Sequence, residues 1–174
     1  TWLSPHGVPI KTYPWQEIIR IFLLRTNLAN SSFFKHIDLV AWVYVCLDNH
    51  VANHHLRGLD SVYTYEDLAA TTFDKAKQQG ILCLYDLPIP YYQMTGNIMR
   101  QEAELFPELA PVIQSIREPA WKIERKQREI ELADHIFVAS SITKKSLLEI
   151  GIQEEKITVI PYGAPVDYFQ PQTK

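Results

Sequence analysis

Residues 135–160 read HIFVASSITKKSLLEIGIQEEKITVI, and this run decides the fold. His135-Ile136-Phe137-Val138-Ala139 is short, β-branched and aromatic, which suits a strand. Ser140 and Ser141 then open a helix over Ser141 to Ile150 that Gly151 stops. Lys156-Ile157-Thr158-Val159-Ile160 is a second strand, ended by Pro161. A strand, a helix and another strand in so few residues make a βαβ unit, and βαβ units build parallel sheets.

Upstream the same alternation continues. Ser61 to Tyr65 reads as a strand, and Asp67 to Gln79 as a helix ending at Gly80, which suits a left-handed cap. Ile81 to Tyr85 is a further strand, followed by a loop marked by Pro88 and Pro90. Helices are expected over Tyr91 to Leu105 and Ala120 to Leu132, with Pro107, Pro111 and Pro119 between them. The pattern predicts an α/β fold: a parallel sheet with helices on both faces.

The front of the chain is helical in pattern. Val40 to Val45 alone would suit a strand, but Ile37, Val40, Val43, Leu47, Val51 and His54 form one helical stripe. A helix is therefore expected within Phe33 to Leu56, with a break at Arg57 to Asp60. Gln16 to Leu28 reads as an amphipathic helix carrying Ile18, Ile19, Phe22 and Leu23 at helical spacing.

Composition narrows the function classes. Apolar residues are 47%, charged residues 21% and the formal net charge is −3. That is a globular profile with no electrostatic footprint for nucleic acid. Cys46 and Cys83 lie in apolar runs and read as free thiols of a reducing, cytoplasmic compartment. No basic segment followed by an apolar one marks a signal peptide. The longest apolar stretch, Leu39 to Leu47, falls short of the roughly 18–20 residues that span a bilayer.

Ligands of open parallel sheets bind beyond the carboxyl ends of the strands. The candidate site residues are therefore Glu66, Asp67, Asp86, Ser140 and Ser141, with Lys144 in the first turn of the following helix. Asp86 enters a proline-rich loop, and a carboxylate there faces the cleft unless it has a partner. Glu66 and Asp67 either suit the helix terminus after them or hydrogen-bond a polar ligand. Ser140 and Ser141 either cap their helix or help hold an anion on its free amides.

His50, His54 and His55 share a helix near Asp48. They read as a solvated polar face rather than a zinc site, because no third ligand is evident. The run Lys122 to Glu131 alternates charge and reads as an exposed, ion-paired helix face. Neither a G-x-G-x-x-G loop, a Walker-type loop nor a G-x-S-x-G elbow occurs.

Residues 131–171, ELADHIFVASSITKKSLLEIGIQEEKITVIPYGAPVDYFQP, resemble the end of the first domain of family 4 glycosyltransferases, which have the GT-B architecture. Ala133-Asp134, Ser140, Gly151, Lys156-Ile157, Ile160-Pro161, Gly163, Asp167, Phe169 and Pro171 fall on the family's pattern. The resemblance implies a Rossmann-like, acceptor-side domain over 1–161 and a linker over 162–174 that leads into a donor-binding domain. That domain would carry a Glu-x7-Glu motif and bind the nucleotide-sugar. Transfer to a hydroxyl acceptor would retain anomeric configuration, without cofactor or metal.

On this reading Glu66, Asp67, Asp86, Ser140, Ser141 and Lys144 face the acceptor, with Asp86 the candidate catalytic group. Many relatives place a His where this chain has Tyr85, leaving Tyr85 or Asp86 to serve there. The family's opening strand and glycine-rich loop have no counterpart before Pro14. The alternatives are a non-catalytic α/β module binding an anion at Ser140 and Ser141, and a scaffold subunit of a split glycosyltransferase. Peripheral membrane association is open, since acceptors of such families are sometimes lipids, although no amphipathic basic helix stands out.

Overall fold

The computed structural model describes residues 2–3, 7, 9–26, 28–31, 34, 37–113 and 118–163. Two short strands, β1 (Trp2–Leu3) and β2 (Pro9–Ile10), pair antiparallel ahead of the helical segment. Helix α1 (Trp15–Arg25) and a 3-10 turn (Leu28–Asn30) lead to α2 (Leu39–His54). The β/α alternation follows: β3 (Ser61–Tyr65), α3 (Ala70–Gln78), β4 (Leu82–Leu87), α4 (Tyr92–Leu105), α5 (Ala120–Leu132), β5 (His135–Val138), α6 (Ser141–Leu148) and β6 (Ile157–Val159). Of the expected linker, only Tyr162 and Gly163 are among the described residues.

Strands β3 to β6 form one parallel sheet in sequence order. Tyr65 pairs with Asp86, Asp86 with Phe137, and Phe137 with Thr158, so these four side chains stand in one row. The fold is thus α/β, a parallel sheet flanked by helices, Rossmann-like as expected. Expected strand positions agree with the observed ones to within a few residues.

Local chemistry explains the punctuation. Gly80 takes φ 71° and Gly151 φ 87°, the left-handed region where a β-carbon is costly. After α3, Gly80 N–H donates to Lys77 C=O and Ile81 N–H to Ala76 C=O. After α6, Gly151 and Ile152 repeat the arrangement on Leu148 and Leu147. Both helices end in the paired bonds of a Schellman motif. The ambiguous segment 39–54 is helical because Asp38 caps it, accepting from Val40 and Ala41 N–H at 3.1 and 3.0 Å.

The two sheet faces are not covered equally. Cys83, Tyr85, Leu87, Ile136, Val138 and Ile157 are buried together with Phe73, Ala76 and Leu147 of the helices. Each fully buried Leu, Ile or Phe there contributes about 1.5–3 kcal/mol. The alternate side chains, including Tyr63, Tyr65, Leu82 and Thr158, are exposed or half-buried on the opposite face. Helix α1 is also unequal: of its apolar residues only Leu23 is buried. Its expected core residues Ile18, Ile19 and Phe22 face solvent.

Candidate functional site

Asp86 lies near the carboxyl end of β4. By strand alternation it points to the open sheet face, while Tyr85 and Leu87 point into the core. The Tyr63 hydroxyl donates to Asp86 Oδ2 across the strand pair. Burial, and then this bond to a carboxylate, push the Tyr63 hydroxyl well above its ordinary range. The hydroxyl therefore stays a donor and fixes one carboxylate oxygen. A carboxylate has further lone pairs, so Asp86 retains capacity to accept from a ligand hydroxyl.

Beside Asp86 lies a cleft of about 240 Å³, lined also by Tyr63, Phe137, Ala139, Pro161, Tyr162 and Gly163. Its rings lie close: Tyr63 is 5.9 Å from Phe137 and 5.8 Å from Tyr65, centroid to centroid. His135 extends the row, 5.1 Å from Phe137, with its Nε2 2.8 Å from Thr158 Oγ1. A single carboxylate among aromatic faces suits a small ligand that combines hydroxyl groups with an apolar side.

Glu66 and Asp67 do not share this cleft. Glu66 follows Tyr65 and turns to the helix side, where Lys126 Nζ lies 3.4 Å from Glu66 and 2.7 Å from Glu118. Lys122 bridges Asp67 and Glu118, at 3.4 Å from each. Neither acid caps α3. That role falls to two carboxylates from other helices, since Ala69 at the cap position has no acceptor side chain of its own.

Glu129 of α5 accepts from Asp67, Ala69 and Ala70 N–H at 2.9, 3.0 and 3.3 Å, and from the Tyr85 hydroxyl at 2.9 Å. Asp48 of α2 accepts from Thr71 and Thr72 N–H, both at 2.8 Å, and pairs with Arg125 at 2.6 Å. The expectation of an exposed face over Lys122 to Glu131 is thus corrected in part. Arg128 does pair with Asp74 and Glu131 at the surface, but Lys126 and Glu129 are buried.

Burial pushes the Glu129 carboxyl up to about 7, against the pull of the amides and of Tyr85. Burial raises Glu66 too, opposed by Lys126. Desolvation lowers Lys126, but Glu66 and Glu118 outweigh it and hold the ammonium above its ordinary value. Asp67 has φ 69°, the only left-handed non-glycine residue among those described, and its buried Oδ1 has no hydrogen-bond partner. Such a conformation holds only where the surroundings enforce it. A larger cavity, about 330 Å³, lies between α4 and α5 and, among the described residues, reaches this network only through Glu118. It contains no strand-end residue, and the strand-end rule favours the Asp86 cleft.

Tyr85 is fully buried and its hydroxyl is bonded to Glu129, so it does not reach the cleft beside Asp86. At α6, Ser140 Oγ accepts from Thr143 N–H at 3.2 Å, which is the capping role. Ser141 is exposed, and Lys144 pairs with Glu154 at 2.7 Å. Ser140 and Lys144 are thus partnered within the chain, which does not favour an anion there.

The rings of His54 and His55 lie 4.9 and 5.1 Å from that of His50, which stacks on Tyr13 at 3.7 Å. Asp48 is engaged at α3 instead, and no group of three potential metal ligands forms among the described residues. Cys83 is buried and Cys46 half-buried, both as free thiols.

Sequence reasoning missed Tyr63 and Phe137 beside Asp86, and Asp48 and Glu129 as caps. The pairing of Tyr63 with Asp86 needed the strand register, which alternation alone does not supply. No protein-family model matches the chain, and neither does any curated protein or solved structure.

Proposed function

We propose that the chain is the acceptor-side part of a retaining glycosyltransferase that draws its sugar from a nucleotide-sugar donor. One observation carries the reading: Asp86 lines a strand-end cleft together with Pro161, Tyr162 and Gly163. Those residues begin the segment that, by resemblance, crosses to a donor-binding domain. An acceptor held against Asp86 would then face the donor.

The chemistry is mainly positioning. The Asp86 carboxylate would accept from the acceptor's nucleophilic hydroxyl and aim its oxygen, with Tyr63 fixing the carboxylate. Phe137 and Tyr162 would offer faces to the apolar side of a sugar ring. Holding both reactants in register supplies much of the acceleration. The leaving diphosphate would be stabilised by basic groups of the donor side.

Saturation-transfer NMR with a panel of monosaccharides and disaccharides tests the cleft directly. Signals are expected from one class of sugar, weakening about tenfold or more in Asp86→Asn, in line with losing a charged acceptor. Absence of any sugar signal, or equal signals from the variant, contradicts the proposal.

A further inference from the structure

We propose that α1 is the seam of a homodimer, packed antiparallel against α1 of a second copy of the chain. This inference does not rest on the glycosyltransferase reading. Along α1, Trp15, Ile18, Phe22 and Arg25 stand three, four and three residues apart. At about 100° per residue they form one stripe, flanked by Ile21. The opposite side of the helix carries Gln16, Arg20 and Leu23, which are half-buried or buried. The stripe therefore points straight away from the fold. Trp15 is 66% exposed, Ile18 50%, Ile21 40% and Phe22 58%.

An apolar stripe at alternating three- and four-residue spacing is the pattern with which one helix packs on another. Among the described residues nothing covers it. The contact of α1 with α2 uses another side, where Ile19 and Leu23 face Leu39 and Trp42 across a groove. No helix among the described residues is long and apolar enough to cross a membrane, so the stripe is not part of a spanning segment.

A second copy is selected because the stripe is complementary to itself. A two-fold interface sets one patch against the same patch. When two α1 helices run antiparallel and cross at residue 20, Trp15 meets the partner's Arg25 and Ile18 meets the partner's Phe22. Both contacts recur on the other side of the two-fold axis, giving four layers. A guanidinium over an indole face is an attractive contact. A parallel pairing would instead set Arg25 against the partner's Arg25, so charge selects the antiparallel orientation. The one acid of α1, Glu17, lies off the stripe and is held by Arg20 at 2.6 Å. The seam therefore buries no unpaired carboxylate. With 11 residues the helix is only about 16 Å long, which places the dimer in the small, reversible class of interface.

Sedimentation equilibrium of the chain over about 5–500 μM tests the proposal, and a monomer–dimer equilibrium with Kd in the micromolar range is expected. Ile18→Asp should weaken it by about tenfold or more, through a charge buried at the centre of the seam. Trp15→Arg should weaken it by about tenfold, because two guanidinium groups then oppose each other across the seam. Adding Arg25→Glu to Trp15→Arg should recover about fivefold, because opposite charges then meet. Positions 15 and 25 are too far apart on one helix to pair within it, so that recovery reports on the partner. All three positions are exposed, and circular dichroism should show the fold intact in every variant. A monomer at every concentration, a dimer that Ile18→Asp leaves unchanged, or no recovery in the double variant overturns the proposal.

Discussion

Glu129 sits in a run whose alternating charges suit a solvated surface, yet it is fully buried and caps another helix. In an unfolded chain glutamate titrates near about 4.3. In the fold Glu129 titrates at about 7, so the native state holds a proton that the unfolded chain has already released. The stabilising share from this group is complete below about pH 4.3 and is lost as pH rises through about 7. Denaturant titrations across that range should show this loss for the native chain and a flatter profile for Glu129→Gln. The amide also turns an N–H₂ toward one pair of donors, so the variant should be less stable at acid pH by about 2–3 kcal/mol. Equal stability and equal pH slope would contradict the capping role. Asp86 was legible as a site candidate because a strand-end carboxylate has few places to hide. Glu129 was not, because charge alternation is the same for a surface helix and for one that sends a single acid inward.

The elements followed their local codes where those codes are self-contained. Gly80 and Gly151 announced the ends of α3 and α6, and both adopt the left-handed turn that glycine takes at little cost. The start of α3 was read too early, at Asp67, because its caps come from distant sequence. Asp48 and Glu129 reach it from α2 and α5, and no local motif records that. Asp48 also binds Arg125 of α5, so one side chain joins three helices. Asp48→Ala should cost about 2–4 kcal/mol, through two lost amide partners and a stranded guanidinium. In a double-mutant cycle with Arg125→Ala the two losses should be strongly non-additive. Additive losses measured by chemical denaturation would show that the pair does not couple the helices.

Among the described residues, burial is concentrated where the covered side of the sheet meets α3, α5 and α6. Helix α4 buries no residue and α1 buries only Leu23. Hydrogen exchange should therefore be slowest in β4 and β5 and much faster in α1 and α4, in keeping with stability graded by burial. Uniform protection across all helices would contradict that gradient. The parallel sheet was legible as a whole because each strand and helix carries its own period. The uneven covering of its faces was not, since it depends on strand order, and the outward stripe of α1 runs against the rule that apolar spacing marks a core.

The central claim concerns Asp86 and the sugar chemistry assigned to its cleft. Its most direct test is a transfer assay of the complete gene product against a panel of nucleotide-sugars and hydroxyl acceptors, with product stereochemistry read by NMR. Transfer with retained configuration is expected, reduced in Asp86→Asn by about a hundredfold, the scale of losing one positioning group. The variant's thermal midpoint should not change. No transfer from any donor, or undiminished transfer by Asp86→Asn, would contradict the claim.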